Sequence, residues 1–257
     1  MERMDFNAVN WMLVFVRASA FLLVLPIFSA TNIPRRVRVA LAAFVAFLIA
    51  PGLPALTVHP SGFIGWIGLF SVEVIAGLII GFVTRMVFYV CDFAGRLITN
   101  EMGLNMASVM NPMMGESSQA PGMILFYFSA AVLMSLDLHQ WVLVGFQNTY
   151  TLLPIGTARI GEALFNNIVM HTTQVFVVGV QMAAPLMAVS FVIMLVFSIL
   201  GRAVPQMSAF MESFAVRALG GMVVFGLSLD ILAQHLLNYL RRLPEDMMRV
   251  ATFLGPT

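Results

Sequence analysis

The 257-residue chain is 60% hydrophobic and 10% charged, has a net charge of +1 and a mean hydropathy of +0.95. Soluble domains hold roughly 25% charged residues, so this composition excludes a water-soluble globule and predicts an all-α integral membrane protein. The 13 basic residues are all arginines scattered between apolar runs, which excludes a phosphate-tracking nucleic-acid surface, and the single cysteine, Cys91, excludes an internal disulfide or a multi-cysteine metal centre.

A spanning helix needs about 20 mainly apolar residues. The runs here are continuous rather than alternating, which selects helices over barrel strands. The first extends from Val9 to Phe28, contains Arg17 and ends near Pro26. The stretch before it lacks the basic region and small-residue cleavage site of a secretory signal, so this helix is expected to be retained. Next comes an arginine-bearing loop, Asn32 to Arg38, with Pro34, Arg35, Arg36 and Arg38, then a second run from Val39 to about Leu53. Arginine is translocated poorly, so the loop is expected on the cytoplasmic side and the N-terminus outside. The linker from Pro51 to Gly62 suits a short outer loop.

The third run, Phe63 to Tyr89, carries Glu73 near its middle and Arg85 near its inner end. Gly77 and Gly81 give it a small-xxx-small face on which another helix packs closely. Residues 92–110 are mixed in polarity, and 109–122 form a polar loop broken by Pro112 and Pro121, a kind of backbone tolerated at membrane depth only inside protein or beside water. A fourth run, Met123 to Leu138, leads through Asp137 and His139 to a shorter apolar piece, Trp141 to Leu153, closed by Pro154-Ile155-Gly156. From Ala163 to Gly201 there is no Asp, Glu, Lys or Arg. As a helix that stretch is roughly 58 Å long, too long for one straight span, so Pro185 is expected to kink it. A turn at Gly201 to Gln206 joins it to the last run, Phe210 to Leu240, which carries Glu212, Arg217 and Asp230. Six spans result, with the C-terminus outside, although Arg241 and Arg242 favour the cytoplasm.

Little in the chain suggests catalysis. The four histidines lie in four separate segments without zinc-ligand spacing, and there is no GxSxG, no phosphate-binding loop and no Cys/His pair at recognisable spacing. Ionisable residues inside apolar runs carry more information, because each costs about 2.5–3.5 kcal/mol at mid-bilayer. Arg17, Glu73, Arg217 and Asp230 are such residues. They share no helical face or repeating spacing, which favours salt bridges or hydrogen bonds between helices over a proton relay, without saying which residues pair. Of the 20 methionines, Met102, Met106, Met110, Met113, Met114 and Met123 flank or lie in the broken loop, and Met102, Met106 and Met110 recur every four residues as on one helix face. Core filling and a compliant pore seal both fit them.

Phe15 to Ala20, Pro26 to Ser29, Ile33 to Ala42, Gly95 to Leu104 followed by Asn111-Pro112, and Arg202-Ala203-Val204-Pro205-Gln206 with Phe210 together resemble the FliR family of flagellar type III export-gate proteins and its injectisome counterpart, over essentially the whole length. Glu101, Asn111, Leu138, Ser208, Phe214 and Arg217 depart from the family's usual residues. The resemblance implies one copy of this chain assembled with several FliP-type and FliQ-type subunits into a pore of the bacterial inner membrane, within the flagellar basal body. FlhB-type and FlhA-type components would be further partners and unfolded proteins the cargo, with no cofactor. Residues 1–160 would be FliP-like and 161–257 a FliQ-like hairpin and tail. A plug near 106–122 would use Met106, Met110, Asn111, Pro112, Met113, Met114, Gly115, Ser117 and Gln119. Arg202, Pro205, Gln206 and Arg217 would form a cytoplasmic turn, and Arg17, Pro34, Arg35, Arg36, Glu73, Gly77 and Gly81 would serve assembly. The alternatives are an injectisome gate and a secondary transporter. The absence of an internal repeat disfavours the transporter.

Overall fold

The computed structural model describes residues 7–29, 33–54, 62–105, 120–203 and 209–255, and every regular element among them is helical. Helix α1, Ala8–Val24, starts where the Asn7 side chain accepts the amides of Val9 and Asn10 at 3.0 and 3.3 Å, satisfying two of the first turn's unpaired donors. It stops at Leu25, whose ψ of 120° is extended because the ring of Pro26 disfavours helical backbone before it. One turn follows as α2, Pro26–Ser29. Helix α3, Arg35–Ile49, begins directly after Pro34, so Arg35, Arg36 and Arg38 lie in its first turn and not in a loop. Arg38 is tied down there by Nε donating to the Phe28 carbonyl at 2.8 Å. A short 3-10 turn, Ala50–Gly52, closes α3 at Pro51.

Helix α4, Gly62–Glu101, has 40 residues and is about 60 Å long. It continues a dozen residues beyond the apolar run because the period persists under the polar residues. Val87, Cys91, Ala94 and Ile98 are buried on one face, while Asp92 and Arg96 form an i,i+4 pair at 3.2 Å on the other. The helix ends at Gly103, whose φ of +70° is the left-handed backbone glycine favours. The amides of Leu104 and Gly103 bond back to the carbonyls of Thr99 and Asn100, a Schellman cap. Met102 therefore stands past the end of the helix and does not open a methionine face on it. Met106 and Met110 lie outside the described residues.

Helix α5, Ala120–Ser135, takes in Pro121 and Gly122. They do not break a helix here, because proline is tolerated in the first turn, where no intrahelical partner waits for its missing N–H. Helix α6, Leu138–Leu152, meets α5 at 77° across Leu136 and Asp137, the latter with a left-handed φ of +55°. Helix α7, Glu162–Ala203, is a single element of 42 residues with Pro185 inside it. Helix α8, Ala209–Arg241, is followed by α9, Leu243–Leu254, whose first turn holds Pro244 and the acids Glu245 and Asp246, both favoured at a helix N-terminus. Among the described residues, three helices are long and apolar enough to cross a membrane: α4, α7 and the stretch Met211–Leu254; the bent α5–α6 pair makes a fourth if counted as one span. The six-span reading counted α1 and α3 as well, but Pro26 and Pro51 cut them to 17 and 15 residues.

The chain divides into two compact units that interleave along the sequence, Met1–Met86 with Met134–Thr172 and Leu240–Thr257, and Val87–Leu133 with Thr173–Tyr239. In the first, α1 packs on α3 and α9 on α6, and Phe21 stacks on Phe146 at 4.7 Å within a core that includes Leu13, Leu22, Leu153 and Met247. In the second, Phe88 packs on Phe126 at 5.5 Å and Phe93 on Phe176 at 5.0 Å.

Candidate functional site

The first unit contains a fully buried ion pair. Arg17 and Glu73 are both 0% exposed. Arg17 donates Nε to Glu73 Oε2 at 2.6 Å and Nη2 to Oε1 at 3.0 Å, and turns Nη1 to the Leu153 carbonyl at 3.0 Å. Glu73 Oε1 also accepts the Gly156 amide at 2.7 Å, and the guanidinium lies 4.2 Å above the Tyr150 ring. The two-pronged match of guanidinium and carboxylate is the strong form of such a bond. It joins α1, α4 and the segment leaving α6, three pieces distant in sequence.

Glycine makes the approach possible. A Cβ on Gly77, one turn after Glu73, would overlap the Arg17 carbonyl oxygen, and one on Gly81 would lie 3.0 Å from the Phe21 carbonyl and 3.1 Å from Val24 Cβ. Arg17 faces Gly77 and Phe21 faces Gly81, so α1 and α4 run side by side in the same direction. The close-packing face of α4 is thus occupied by α1 of the same chain. Gly156 has a φ of +79° and would meet Leu69 if it carried a side chain. The arrangement is a clasp that fixes the α1–α4 distance. Sequence reading marks Arg17, Glu73, Gly77 and Gly81 but misses Tyr150, the Leu153 carbonyl and Gly156. Only the Pro154-Ile155-Gly156 turn signal pointed there.

Asp230 and Arg217, the other two ionisable residues singled out within the apolar runs, belong to the second unit. Asp230 is exposed and accepts from Gln234 at 3.1 Å. Arg217 lies in the second unit, well inside α8 and 6% exposed, with its guanidinium 4.4 Å over the Phe214 ring and its Nε buried without a hydrogen-bond partner. Arg202, by contrast, is exposed at the end of α7. Pro205 and Gln206 lie outside the described residues. Pro34, Arg35 and Arg36 are exposed at the start of α3. No group of three or more His, Cys, Asp or Glu able to hold a metal ion occurs among the described residues.

Asn111, Pro112, Met113, Met114, Gly115, Ser117 and Gln119 also lie outside the described residues, but both flanks of their segment are described. The second unit holds α4 against α5 there at backbone distance. A Cβ on Gly95 would overlap the Gly122 backbone, and one on Gly122 would sit 3.6 Å from Gly95 Cα. Gly103, where α4 ends, is pressed against the Phe214 ring, and Gly221 against Met102.

A family model described as bacterial export proteins, family 1, matches residues 8–243. The flagellar biosynthetic protein FliR of Caulobacter vibrioides is 31% identical over 223 residues, 86% of this chain and 88% of its own. The FliR proteins of Escherichia coli K12 and Pectobacterium carotovorum are 27% and 26% identical, with coverage of 94% and 95% of this chain and 93% and 96% of theirs. The match runs from the first turn of α1 to the start of α9, and with it the chain belongs to the FliR family of bacterial export proteins.

Proposed function

We propose that the chain is a component of the flagellar type III export apparatus in the bacterial inner membrane, and that it forms part of the pore wall through which unfolded flagellar proteins pass. The family match over residues 8–243 carries this reading. The composition of its surface supports it: Ile199, Leu219 and Leu227 are 69%, 70% and 78% exposed. An apolar surface of this kind needs lipid or protein neighbours. FliP-type and FliQ-type subunits would be those neighbours, with FlhB-type and FlhA-type components beyond them. The likeness of residues 1–160 to a FliP-type fold and of 161–257 to a FliQ-type hairpin belongs to the same proposal.

Within the pore, residues 106–122 act as the plug. Support comes from the flanks: α4 is packed against the first turn of α5 at Gly95 and Gly122, so packed helix bounds the segment on both sides. Methionines in it would give a compliant apolar seal, and Ser117 and Gln119 would hydrogen-bond to the wall without adding charge. Deleting residues 111–119 tests this. The gate is expected to assemble while the cells become leaky to small ions; assembly with wild-type membrane conductance would reduce the segment to a connector.

A further inference from the structure

We infer that the groove between α1 and α3 binds an anionic phospholipid, with one acyl chain lying along the groove and the phosphate held by Arg35 and Arg36. The groove has a volume of about 510 Å³ and is lined by Trp11 and Phe15 of α1 and by Arg35, Arg36, Ala40 and Ala43 of α3, a size within the roughly 300–1,000 Å³ of ligand sites. Trp11 and Phe15 stack at 5.5 Å with an interplanar angle of 10° and form a flat aromatic wall. Opposite them, alanines at 40 and 43 leave the space open. Nearly all of the lining is apolar, and no acidic residue contributes to it.

The two arginines decide the class of occupant. Nearby cations are engaged within the chain: Arg38 bonds the Phe28 carbonyl and Arg85 the Val24 carbonyl. Arg35 and Arg36 are exposed and have no hydrogen bond or ion pair among the described residues. Two unpaired guanidinium groups beside an apolar trough complement a molecule that is anionic at one end and aliphatic along its length. Guanidinium matches phosphate oxygens in pairs, and basic pockets between membrane helices on the cytoplasmic side suit anionic headgroups. A helix from a partner subunit would fill the trough, but would need acids placed for both arginines.

The inference requires only that the helices lie in a membrane, and its test does not read export. The full-length chain is placed in nanodiscs of phosphatidylcholine containing a minor fraction of phosphatidylglycerol, with a tracer phosphatidylglycerol bearing a diazirine on its acyl chain. Adducts are mapped by mass spectrometry after illumination. They are expected to concentrate on Trp11, Phe15 and residues 40–43. Adduct yield should fall about fivefold for Arg35→Gln and again for the Arg35→Gln/Arg36→Gln pair, and should be weak with a phosphatidylcholine tracer. The variant Ala40→Trp/Ala43→Trp keeps both arginines and fills the trough, and should abolish groove adducts while circular dichroism shows unchanged helix content. Adducts spread evenly over the apolar surface, or indifferent to headgroup charge and to both variants, overturn the inference. So does the purified assembly if a photoreactive group at position 43 captures a partner subunit and lipid labelling of the groove disappears.

Discussion

Replacing Arg17 with methionine would strand the Glu73 carboxylate in a site with no solvent exposure, leaving the Gly156 amide as its hydrogen-bond donor. Breaking a buried pair in this way costs about 3–5 kcal/mol, because the remaining charge is neither solvated nor compensated. Glu73→Leu leaves Arg17 with the Leu153 carbonyl and the Tyr150 ring, at a similar cost. If the sites were independent, the double variant would lose roughly 6–10 kcal/mol, enough to unfold a domain with a total stability of about 5–15 kcal/mol. The structure gives a different result. Removing both partners strands no charge and orphans one carbonyl and one amide, about 1–3 kcal/mol each, so the double variant should be more stable than the two single losses added together, by about 4 kcal/mol at the middle of these ranges. Reversible unfolding in mixed detergent micelles, followed by helix content, measures all four corners of the cycle. Additive losses, or single variants within 1 kcal/mol of wild type, would show that the clasp does not hold α1 to α4 and would refute the reasoning.

Gly77→Ala should destabilise the chain by about 1–3 kcal/mol, since the new methyl meets the Arg17 backbone and not a yielding side chain. Gly68→Ala on the same helix has nothing within 4 Å and should gain about 0.5–1 kcal/mol from helix propensity; a thermal melt of the pair reads the contrast directly. Gly156→Ala combines a φ of +79° with a clash against Leu69 and should cost about 2 kcal/mol, seen as a lowered midpoint in the same micelle unfolding. Arg217→Met removes a cation–π contact of about 0.5–2 kcal/mol together with the desolvation of a guanidinium that forms no ion pair among the described residues. Its stability should stay within about 1 kcal/mol of wild type. A secretion assay on that variant then separates a role in export, which lowers secretion, from a role in packing alone.

The sequence carried the class of the fold and the chemistry of the clasp, but not its pairing. Arg17 and Glu73 stood out because ionisable residues are rare in apolar runs, whereas nothing local links positions 56 residues apart. Their meeting depends on Gly77 and Gly81 admitting α1, a consequence of tertiary packing. Helix ends were the weaker reading. Pro34 and Pro121 look like breaks in a linear text, yet one immediately precedes a helix and the other lies in a first turn, where a missing N–H does no harm. The methionine spacing at 102, 106 and 110 fits one face only if the helix continues, and the left-handed backbone at Gly103 ends it first. Hydropathy likewise faded at Asp92, while the period of buried residues ran on to Ile98.

The contact between Gly95 and Gly122 bears on how this protein can change over evolutionary time. Closing a loop costs chain entropy that rises only slowly with its length, by about 0.6 kcal/mol for each doubling. Here Gly95 of α4 and Gly122 of α5 are brought together by helix packing, so the chain between them is a loop closed at that crossing. Insertions, deletions and changes of side chain between those points can alter the stretch they connect while the framework keeps its geometry. A substitution at either glycine does the reverse: a single methyl forces two backbones apart and moves both ends of the segment together. Among relatives the crossing itself is therefore expected to be kept small.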